Sequence, residues 1–435
     1  MSTEPQDLQI RNLIRSVEVA AAEGREAESE RLLGEARSAA PNHPLVLNED
    51  GRRALNRGDF RTARELLERA TADAPNHPAI WLNLATSFRG LGLPDEEARA
   101  LERVLAVEPR HLLALLQKAS LLEMQGKPRA AASVYQNALA TIPPGAQIND
   151  VLRPALQRAF AAVRANNESL ERLFAERLRD LRARARRADN ERFDHCIDAL
   201  LGKRGVFVSQ PTFLLYPKLP AYEFYAREDF PWLDEVEAAT AEIRHECERV
   251  LAEDMGRAVP YVSYPTGVPL DQWAELNNSR RWSAFFLWRE GKRMDENIAR
   301  CPKTAALLAR MPMCEVPDHG PTGFFSILDK KTRIPPHTGV TNTRLIVHLP
   351  LIVPPGCRFR VGSDTREWAP GRAWVFDDTI QHEATNDSDV PRAILIFDIW
   401  NPYLTPAERE LVRVAVAAYG EFYRAESPPE LSFVP

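Results

Sequence analysis

Three segments decide the fold: PPHTGVTNTRLIVHLPL (335–351), WAPGRAWVFDDTIQHEATN (368–386) and VPRAILIFDIWNP (390–402). Each contains an apolar, β-branched run of the kind that forms buried strands. One polar side chain stands out beside each run, namely His337, His382 and Arg392. Because the runs are short and follow one another closely, they predict an antiparallel double-layer barrel that holds these side chains at strand ends.

The residue types in this stretch indicate a metal site. Two imidazoles brought together on a β scaffold can bind a transition metal, and an arginine on the following strand can bind a carboxylate through two parallel hydrogen bonds. Together they suggest an iron-dependent oxygenase that uses 2-oxoglutarate. A site with two histidines and one carboxylate would carry its acid two residues after His337, where Gly339 stands. From the residues alone, a metal site and two structural histidines both stay open.

The composition of the whole chain limits its domain count, its partners and its cellular compartment. The 435 residues are 44% hydrophobic and 27% charged, with a formal net charge of −5. This length favours two or three domains, and the charge gives no reason to expect nucleic acid as a partner. The polar start does not resemble a secretory signal, and no apolar run is long enough to cross a membrane. Five scattered cysteines favour reduced thiols, so we expect a cytoplasmic protein that binds no membrane.

Residues 8–146 contain an internal repeat. Glycine recurs at Gly24, Gly58, Gly92 and Gly126, and proline recurs at Pro41, Pro75, Pro109 and Pro143. Glycine and proline that recur about every 34 residues are typical of tetratricopeptide repeats, each of which is a pair of helices. About four repeats are enough for a continuous solenoid. We expect its concave surface to bind a peptide or protein partner, with a purely stabilising module as the alternative.

Three histidines recur with the same spacing, His43, His77 and His111. They lie too far apart to share a metal, and we interpret them as turn residues. The next segment, 147–205, is rich in Leu, Ala and Arg and predicts connecting helices that cap the solenoid. Residues 206–435 then show helices followed by short strands, and Thr405 is expected to cap a closing helix.

The expected fold is therefore α+β and multidomain. An N-terminal α-solenoid precedes a double-stranded β-helix of the jelly-roll or cupin kind, which carries flanking helices.

The strand-rich part, residues 206–415, resembles the aspartyl/asparaginyl β-hydroxylases. The resemblance rests on SILDKKTRIPPHTGVTNTRLIVHLPL (326–351), FDDTIQHEATN (376–386), an arginine ten residues after the second histidine, and DIWNPYLTPAERE (398–410). In that family two histidines suffice to hold Fe(II). Its HTG motif has glycine where other iron oxygenases have an acid ligand. The resemblance therefore implies that Gly339 belongs to a two-histidine iron site.

The resemblance also implies roles for individual residues. His337 and His382 match the iron ligands. Arg392 and Ser326 match the residues that bind the distal carboxylate of 2-oxoglutarate, and His348 matches a side chain near its other carboxylate.

One position departs from the family pattern. Animal members have an arginine where this chain has Ile346. Residues 344, 346 and 348 share one face of a strand, so we expect Arg344 to bind the same carboxylate. Trp282 corresponds to an aromatic residue near the substrate entrance, with plain packing as the alternative. The acids Asp377, Asp378 and Asp398 are interpreted as turn formers that support the histidines by hydrogen bonding, not as metal ligands.

The implied function is hydroxylation of an unactivated carbon with Fe(II), 2-oxoglutarate and O2. The target suggested by the family is the β-carbon of Asp or Asn in a peptide or protein recruited by the repeats, and a small-molecule substrate is an alternative. Halogenation is a variant within the class, because Gly339 leaves room for a halide. The alternative outside it is a non-catalytic repeat scaffold with an inactive barrel.

Overall fold

The computed structural model describes residues 4–143 and 145–424. The chain divides into two compact units, Met1–Glu191 and Arg192–Pro435, and the division falls inside the predicted connecting segment. The N-terminal helices are α1 (Glu4–Ala22), α2 (Glu26–Ala39), α3 (Pro44–Asn56), α4 (Phe60–Asp73), α5 (Pro78–Gly90), α6 (Pro94–Val107), α7 (Leu112–Met124), α8 (Pro128–Leu139), α9 (Arg153–Arg184) and α10 (Arg187–Leu200).

Helices α1 to α8 form four pairs, which confirms the predicted repeats. The first and second helices of each pair are joined at a glycine with φ between 69° and 77°, at Gly24, Gly58, Gly92 and Gly126. That left-handed conformation is strained for other residues, so glycine is needed at each of these turns. The recurring small residues Ala36, Ala70, Val104 and Ala138 are fully buried. They allow the helices to approach closely, and they explain the register of the repeat.

The second unit contains five further helices and the strands. The helices are α11 (Leu233–Ala238), α12 (Thr240–Glu253), α13 (Asp295–Arg300), α14 (Pro302–Leu308) and α15 (Pro406–Arg424). The strands are β1 (Val259–Pro260), β2 (Trp282–Arg289), β3 (Lys292–Arg293), β4 (Gly323–Leu328), β5 (Thr332–His337), β6 (Arg344–Ile352), β7 (Cys357–Val361), β8 (Asp364–Glu367), β9 (Trp374–Phe376), β10 (His382–Asn386) and β11 (Arg392–Trp400).

The strands form two antiparallel sheets. The larger has the order β1-β2-β4-β11-β6-β9 with β3 paired to β2, and the smaller has the order β5-β10-β7-β8. From β4 to β11 the chain passes repeatedly from one sheet to the other, which is the winding expected of the predicted double-layer barrel. One face of the larger sheet is covered by helices, because Val236, Ile243 and Val250 share a core with Phe285 and Phe325.

The closing helix begins as predicted. The Thr405 hydroxyl accepts a hydrogen bond from the Glu408 backbone N–H at 3.3 Å, and the Glu408 carboxylate accepts one from the Thr405 N–H at 2.8 Å. This reciprocal pair satisfies two backbone donors at the start of α15. Val412 and Val416 then pack the helix against Trp400 at the end of β11.

Candidate active site

The two predicted histidines meet where β5 ends and β10 begins. His337 and His382 are register partners in the smaller sheet, and their ring centroids are 4.0 Å apart. The two histidines stand 45 positions apart in sequence, and a single strand pair brings them together. The structure therefore brings together the two side chains that the sequence predicted as ligands.

Backbone carbonyls fix the orientation of both rings. His337 Nδ1 lies 2.8 Å from the Pro335 carbonyl oxygen, and His382 Nδ1 lies 3.1 Å from the Ile380 carbonyl oxygen. A carbonyl oxygen can only accept, so each Nδ1 carries the hydrogen and each neutral ring keeps a lone pair on Nε2. This is the tautomer that a metal ligand needs, fixed by a hydrogen bond on the opposite nitrogen.

Both imidazoles are held in their neutral form. Burial lowers the pKa of His337 to about 4. Burial lowers the pKa of His382 well below its ordinary value, and the neighbouring His337 lowers it further. Because a metal competes with protons for the same lone pairs, two neutral imidazoles are ready to bind a cation at neutral pH.

The space beside Gly339 is filled by a carboxylate from another loop. A Cβ at position 339 would lie 2.1 Å from Asp378 Oδ2, and the Gly339 N–H donates to the Asp378 carbonyl at 2.6 Å. Burial raises the pKa of Asp378 to about 7 against the opposing charge of Arg344. Its Oδ1 is buried and has no hydrogen-bond partner. Asp378 thus occupies the place that a third ligand at position 339 would need.

The other two candidate acids have structural partners. Asp377 accepts hydrogen bonds from the Thr379 N–H at 2.9 Å and from the Ser209 hydroxyl at 2.7 Å. Asp398 accepts from the Thr322 N–H at 3.1 Å and is paired with Arg344. Among residues 4–143 and 145–424, no three His, Cys, Asp or Glu side chains are grouped so that they could hold a metal. The candidate donors that the structure does bring together are His337 and His382.

Arg392 lies in a second part of the site and has no counter-ion. It is 1% exposed, and its guanidinium lies 4.8 Å from the Trp368 ring centroid. Its Nη1 makes only 3.4 Å contacts with the carbonyl and hydroxyl oxygens of Ser326, and its Nε has no partner. Burial lowers the pKa of Arg392 to about 10. No carboxylate in the described part of the chain pairs with it, so the pocket holds an uncompensated cation that fits an anionic group.

Trp282 is buried beside Ser326, and its place near the substrate entrance stays a prediction. It is 5% exposed, and its indole N–H donates to the Ser326 hydroxyl at 3.1 Å. Its ring stacks on Tyr261 with a centroid distance of 4.1 Å and lies 6.4 Å from His337. Trp282 therefore forms a wall between the histidine pair and the serine that the sequence assigned to 2-oxoglutarate.

His348 closes the same pocket from β6. Trp368 Nε1 donates to His348 Nδ1 at 3.4 Å, which leaves the hydrogen of His348 on Nε2. Burial and the charge of Arg392 lower the pKa of His348 well below its ordinary value. Its ring lies 4.8 Å from Phe376, and Phe376 lies 5.6 Å from His382. Aromatic contacts thus connect the arginine end of the pocket to the histidine pair.

Arg344 already has a carboxylate partner. Its Nη1 lies 3.1 Å from Asp398 Oδ2, and Asp398 is 1% exposed. Burial acts to lower the pKa of Arg344, but the carboxylates of Asp398 and Asp378 outweigh it and raise this pKa. The role of Arg344 in binding 2-oxoglutarate stays a prediction, and the structure offers this arginine a different carboxylate. Ile346, its neighbour on the strand face, packs into the core between the sheets.

Sequence reasoning missed two aromatic residues of the site. Trp368 contacts both Arg392 and His348, and Trp273 lies edge-on to His337 with a centroid distance of 5.0 Å. Trp368 begins the segment 368–386, but its distance from Arg392 in sequence does not predict that the two side chains touch. Trp273 lies in a loop with no strand pattern. Only the three-dimensional winding brings either ring to the site.

Two family matches cover the two units. Residues 237–402 match the family described as Aspartyl/Asparaginyl beta-hydroxylase. Residues 49–101 and 86–146 match Tetratricopeptide repeat. The first match includes every site residue named above from β2 to β11, and the second runs from α3 to a few residues past the end of α8.

Individual relatives match a part of the chain. The human Aspartyl/asparaginyl beta-hydroxylase is 36% identical over 182 residues, which are 41% of this chain and 24% of that protein. The Ornithine lipid ester-linked acyl 2-hydroxylase of Rhizobium tropici is 34% identical over 197 residues, 45% of this chain and 66% of that protein. The chain thus matches only about a quarter of the human relative's length.

One solved structure is similar to a part of the chain. It is a thermophilic TPR protein of Thermus thermophilus with 21% identity and a TM-score of 0.31, and the match covers 40% of this chain and 96% of that one. In the described residues, no helix is long and apolar enough to cross a membrane. The chain therefore combines tetratricopeptide repeats with a domain of the aspartyl/asparaginyl β-hydroxylase family.

Proposed function

We propose that the chain is a 2-oxoglutarate- and Fe(II)-dependent dioxygenase that hydroxylates an unactivated carbon. The observation that carries the proposal is the pairing of two neutral imidazoles with an unpaired buried arginine in the adjoining pocket. Two histidines alone fit several metals, and a lone buried arginine fits many anions. Their combination in a domain of this family supports an iron site that is completed by a carboxylate co-substrate.

His337 and His382 would hold Fe(II) through their Nε2 atoms. Arg392 would bind the distal carboxylate of 2-oxoglutarate with the Ser326 hydroxyl, and His348 lies where its Nε2–H could donate to the other carboxylate. When bound together, Fe(II) and 2-oxoglutarate supply the activation of O2 for C–H hydroxylation. The balanced reaction converts substrate C–H, 2-oxoglutarate and O2 into C–OH, succinate and CO2.

The chain's own share is binding, orientation and exclusion of water. Trp282 holds the Ser326 hydroxyl in place, since its N–H fills one lone pair of that oxygen. Trp368 fixes the tautomer of His348 and covers one face of Arg392. Trp273 and Phe376 shield the histidine pair with apolar surface. These contacts keep a reactive centre dry while substrate is present.

The proposed target is the β-carbon of Asp or Asn in a peptide or protein, recruited by the concave surface of the repeats. The human relative's name supports this substrate class. A second candidate is a non-peptide substrate, which the name of the Rhizobium relative supports, because that protein is an acyl 2-hydroxylase. We place the activity in the cytoplasm, because all five cysteines are free thiols and four of them are buried.

The test is iron-dependent consumption of 2-oxoglutarate by the purified full-length protein. Succinate formation, followed by NMR, should require Fe(II) and should disappear in His382→Ala. His245→Ala is the matched control, because His245 is exposed on α12. If the unmodified protein neither binds Fe(II) nor forms succinate, the chain is a repeat scaffold with an inactive barrel and the proposal is wrong.

A further inference from the structure

An irregular segment of the second unit crosses both loops that carry the histidine pair. It is SQPTFL (209–214), and we call it the strap. The first ligand loop, 338–343, follows His337 at the end of β5. The second ligand loop, 377–381, precedes His382 at the start of β10. A shift of either loop would move one ring relative to the other, so the contacts that hold these loops bear directly on the metal site.

The strap binds the second ligand loop at two points. The Gln210 N–H donates to the Thr379 carbonyl at 2.7 Å. The Ser209 hydroxyl donates to the Asp377 carboxylate at 2.7 Å, and the same carboxylate accepts from the Thr379 N–H at 2.9 Å. Thr379 is joined by its peptide bond to Ile380, whose carbonyl orients the ring of the second histidine. The strap therefore holds the peptide unit that adjoins this carbonyl.

Three N–H groups of the strap bind the first ligand loop. The Thr212 N–H donates to the Gly339 carbonyl at 3.0 Å. The N–H groups of Phe213 and Leu214 follow, and they donate to the Val340 carbonyl at 3.1 and 3.0 Å. Gly339 lies two residues after the first histidine. The strap thus holds the first loop close to its candidate ligand, as it does the second.

The two ligand loops also touch each other directly. The Gly339 N–H donates to the Asp378 carbonyl at 2.6 Å. One hydrogen bond joins two points and leaves the loops free to turn about it. The strap adds contacts to both loops from Gln210 and Thr212, and two residues of chain span at most about 7 Å. It therefore limits how far the loops can separate.

Pro211 makes this spacing stiff. It stands between the two donors, and its ring fixes its own φ and disfavours helical conformations of the residue before it. The far end of the strap is anchored away from the histidines, because Phe213 and Leu214 pack against the apolar cluster that contains Val416 of α15. A stiff segment with such an anchor can brace both loops.

We propose that the strap is a positioning element that sets the separation and relative orientation of His337 and His382, with Ser209 and Pro211 as its positioning residues. The inference deepens the proposed function and rests on it, because the metal site is the same. A site with two protein donors binds tightly when both are already in place, since ordering a mobile donor on binding costs free energy. Loosening the strap should therefore weaken metal binding without removing a ligand.

The first test removes one contact of the strap. Ser209→Ala should weaken binding of Mn(II) to the full-length protein by about 3- to 10-fold in isothermal titration, because a hydrogen bond to a carboxylate is lost. Ser209→Thr keeps the hydroxyl and should keep most of the affinity. Ser363→Ala is the matched control, because the Ser363 hydroxyl donates to the Gly205 carbonyl at 3.0 Å, just before the strap. It should bind Mn(II) as the unmodified protein does.

The second test separates positioning from stability. Pro211→Gly and Pro217→Gly both give the unfolded chain more freedom, so both should lower the Tm by a similar amount. Pro217 is exposed and lies three residues beyond the strap. Only Pro211→Gly should also weaken Mn(II) binding, by at least about threefold, because only this change makes the strap flexible.

Bound Co(II) gives a readout that does not depend on the folded fraction. Its visible absorption band reports the geometry of the ligands. The band maximum should shift in Ser209→Ala and in Pro211→Gly, and it should stay in place in Ser363→Ala and in Pro217→Gly.

The outcomes distinguish two failures. Unchanged affinity and an unchanged band in both strap variants would contradict the inference, and so would an equal loss of affinity in Pro211→Gly and Pro217→Gly. In those cases the proposed function stands. If the unmodified protein binds neither Mn(II) nor Co(II), the proposed function fails, and the inference fails with it.

Discussion

Two histidines of the repeats and the two paired histidines of the strand unit use Nδ1 in opposite ways. In the repeats, Nδ1 of His43 accepts from the Leu45 N–H at 3.2 Å, and Nδ1 of His111 accepts from the Ala114 N–H at 3.3 Å. At the site, Nδ1 of His337 and of His382 donates to a carbonyl. In His43 and His111 the accepting Nδ1 caps a helix, whereas in His337 and His382 the donating Nδ1 leaves the lone pair of Nε2 available to a ligand.

This comparison distinguishes the helix-capping histidines from the two candidate ligands. His77 holds the same repeat position, but its Nδ1 is buried without a partner. Even so, it begins α5 just as its equivalents begin their helices. Position in the repeat therefore sets the turn, and the hydrogen bond of Nδ1 adds to it. At the site, the carbonyl contact is the feature that matters, because it fixes where the lone pair points.

The largest effect is expected when one of the two candidate ligands is removed, which tests the difference between the two kinds of histidine. His382→Ala should weaken binding of Mn(II) or Co(II) by more than about 100-fold, because one of only two protein donors is lost. Isothermal titration with either metal measures the change. His111→Ala should bind metal as the unmodified protein does. Equal losses in both variants would contradict the distinction between the two kinds of histidine.

The next effect concerns the unpaired arginine beside the histidines. Arg392→Met should weaken 2-oxoglutarate binding by about 10- to 100-fold, since charge-assisted hydrogen bonds contribute about 1.5–3 kcal/mol each. The ligand-free protein should not lose stability, because the variant removes a buried cation that has no partner. Its Tm should rise by about 2–4 °C for each kcal/mol of burial cost removed.

Arg333→Met serves as the control, because Arg333 is exposed and paired with Glu383. It should leave both quantities nearly unchanged. A fall in the Tm of Arg392→Met would mean that the arginine stabilises the empty pocket, against the interpretation that it awaits an anion.

A smaller effect is expected in the repeats. His111→Ala removes an N-cap acceptor at the start of α7 and should lower the free energy of unfolding by about 1 kcal/mol. His111→Asn should restore most of it, because Asn is among the preferred N-cap residues. Urea unfolding of the full-length protein measures both variants. If the Asn variant is as unstable as the Ala variant, the ring of His111 acts by packing and not by capping.

The smallest effect concerns pH: metal affinity should not depend on pH near neutrality. Since burial depresses the pKa of His337 to about 4, protons begin to compete with metal only well below neutrality. The neutral ring is favoured in the folded state, so stability should fall as pH drops from about 6.5 toward 4, whereas metal affinity should fall only as pH approaches 4. Between about pH 8 and pH 7 the metal affinity should stay constant. A decline centred near pH 6.5 would indicate solvent-exposed, ordinary histidines.

The periodic part of the chain could be predicted from sequence because its signals are local. Each of Gly24, Gly58, Gly92 and Gly126 marks a turn that needs a positive φ, and the repeat multiplies that signal four times. The histidine pair was also predictable, since each ring stands beside an apolar strand. The pairing of Arg344 with Asp398 was not. These residues lie 54 positions apart, and only the neighbouring positions of β6 and β11 in the sheet bring them together.

The carboxylate beside Gly339 was missed for a different reason. Asp378 was noticed as part of an acidic doublet and interpreted as a turn former that supports the histidines. Its contact with position 339 depends on how the loop before β10 folds over the end of β5. Sequence spacing gives no measure of that approach. A glycine two residues after a candidate ligand is the one available signal, because it indicates that something else fills the space.

That filled space also constrains how such a site can evolve. Gly339→Asp, the one change that would create a third protein ligand, places its Cβ 2.1 Å from an oxygen of Asp378. Removing Asp378 first would leave a void beside the histidines with nothing to close it. A third ligand at position 339 would therefore require the Asp378 side chain to move or to be replaced. Packing, as well as the ligand itself, would have to change.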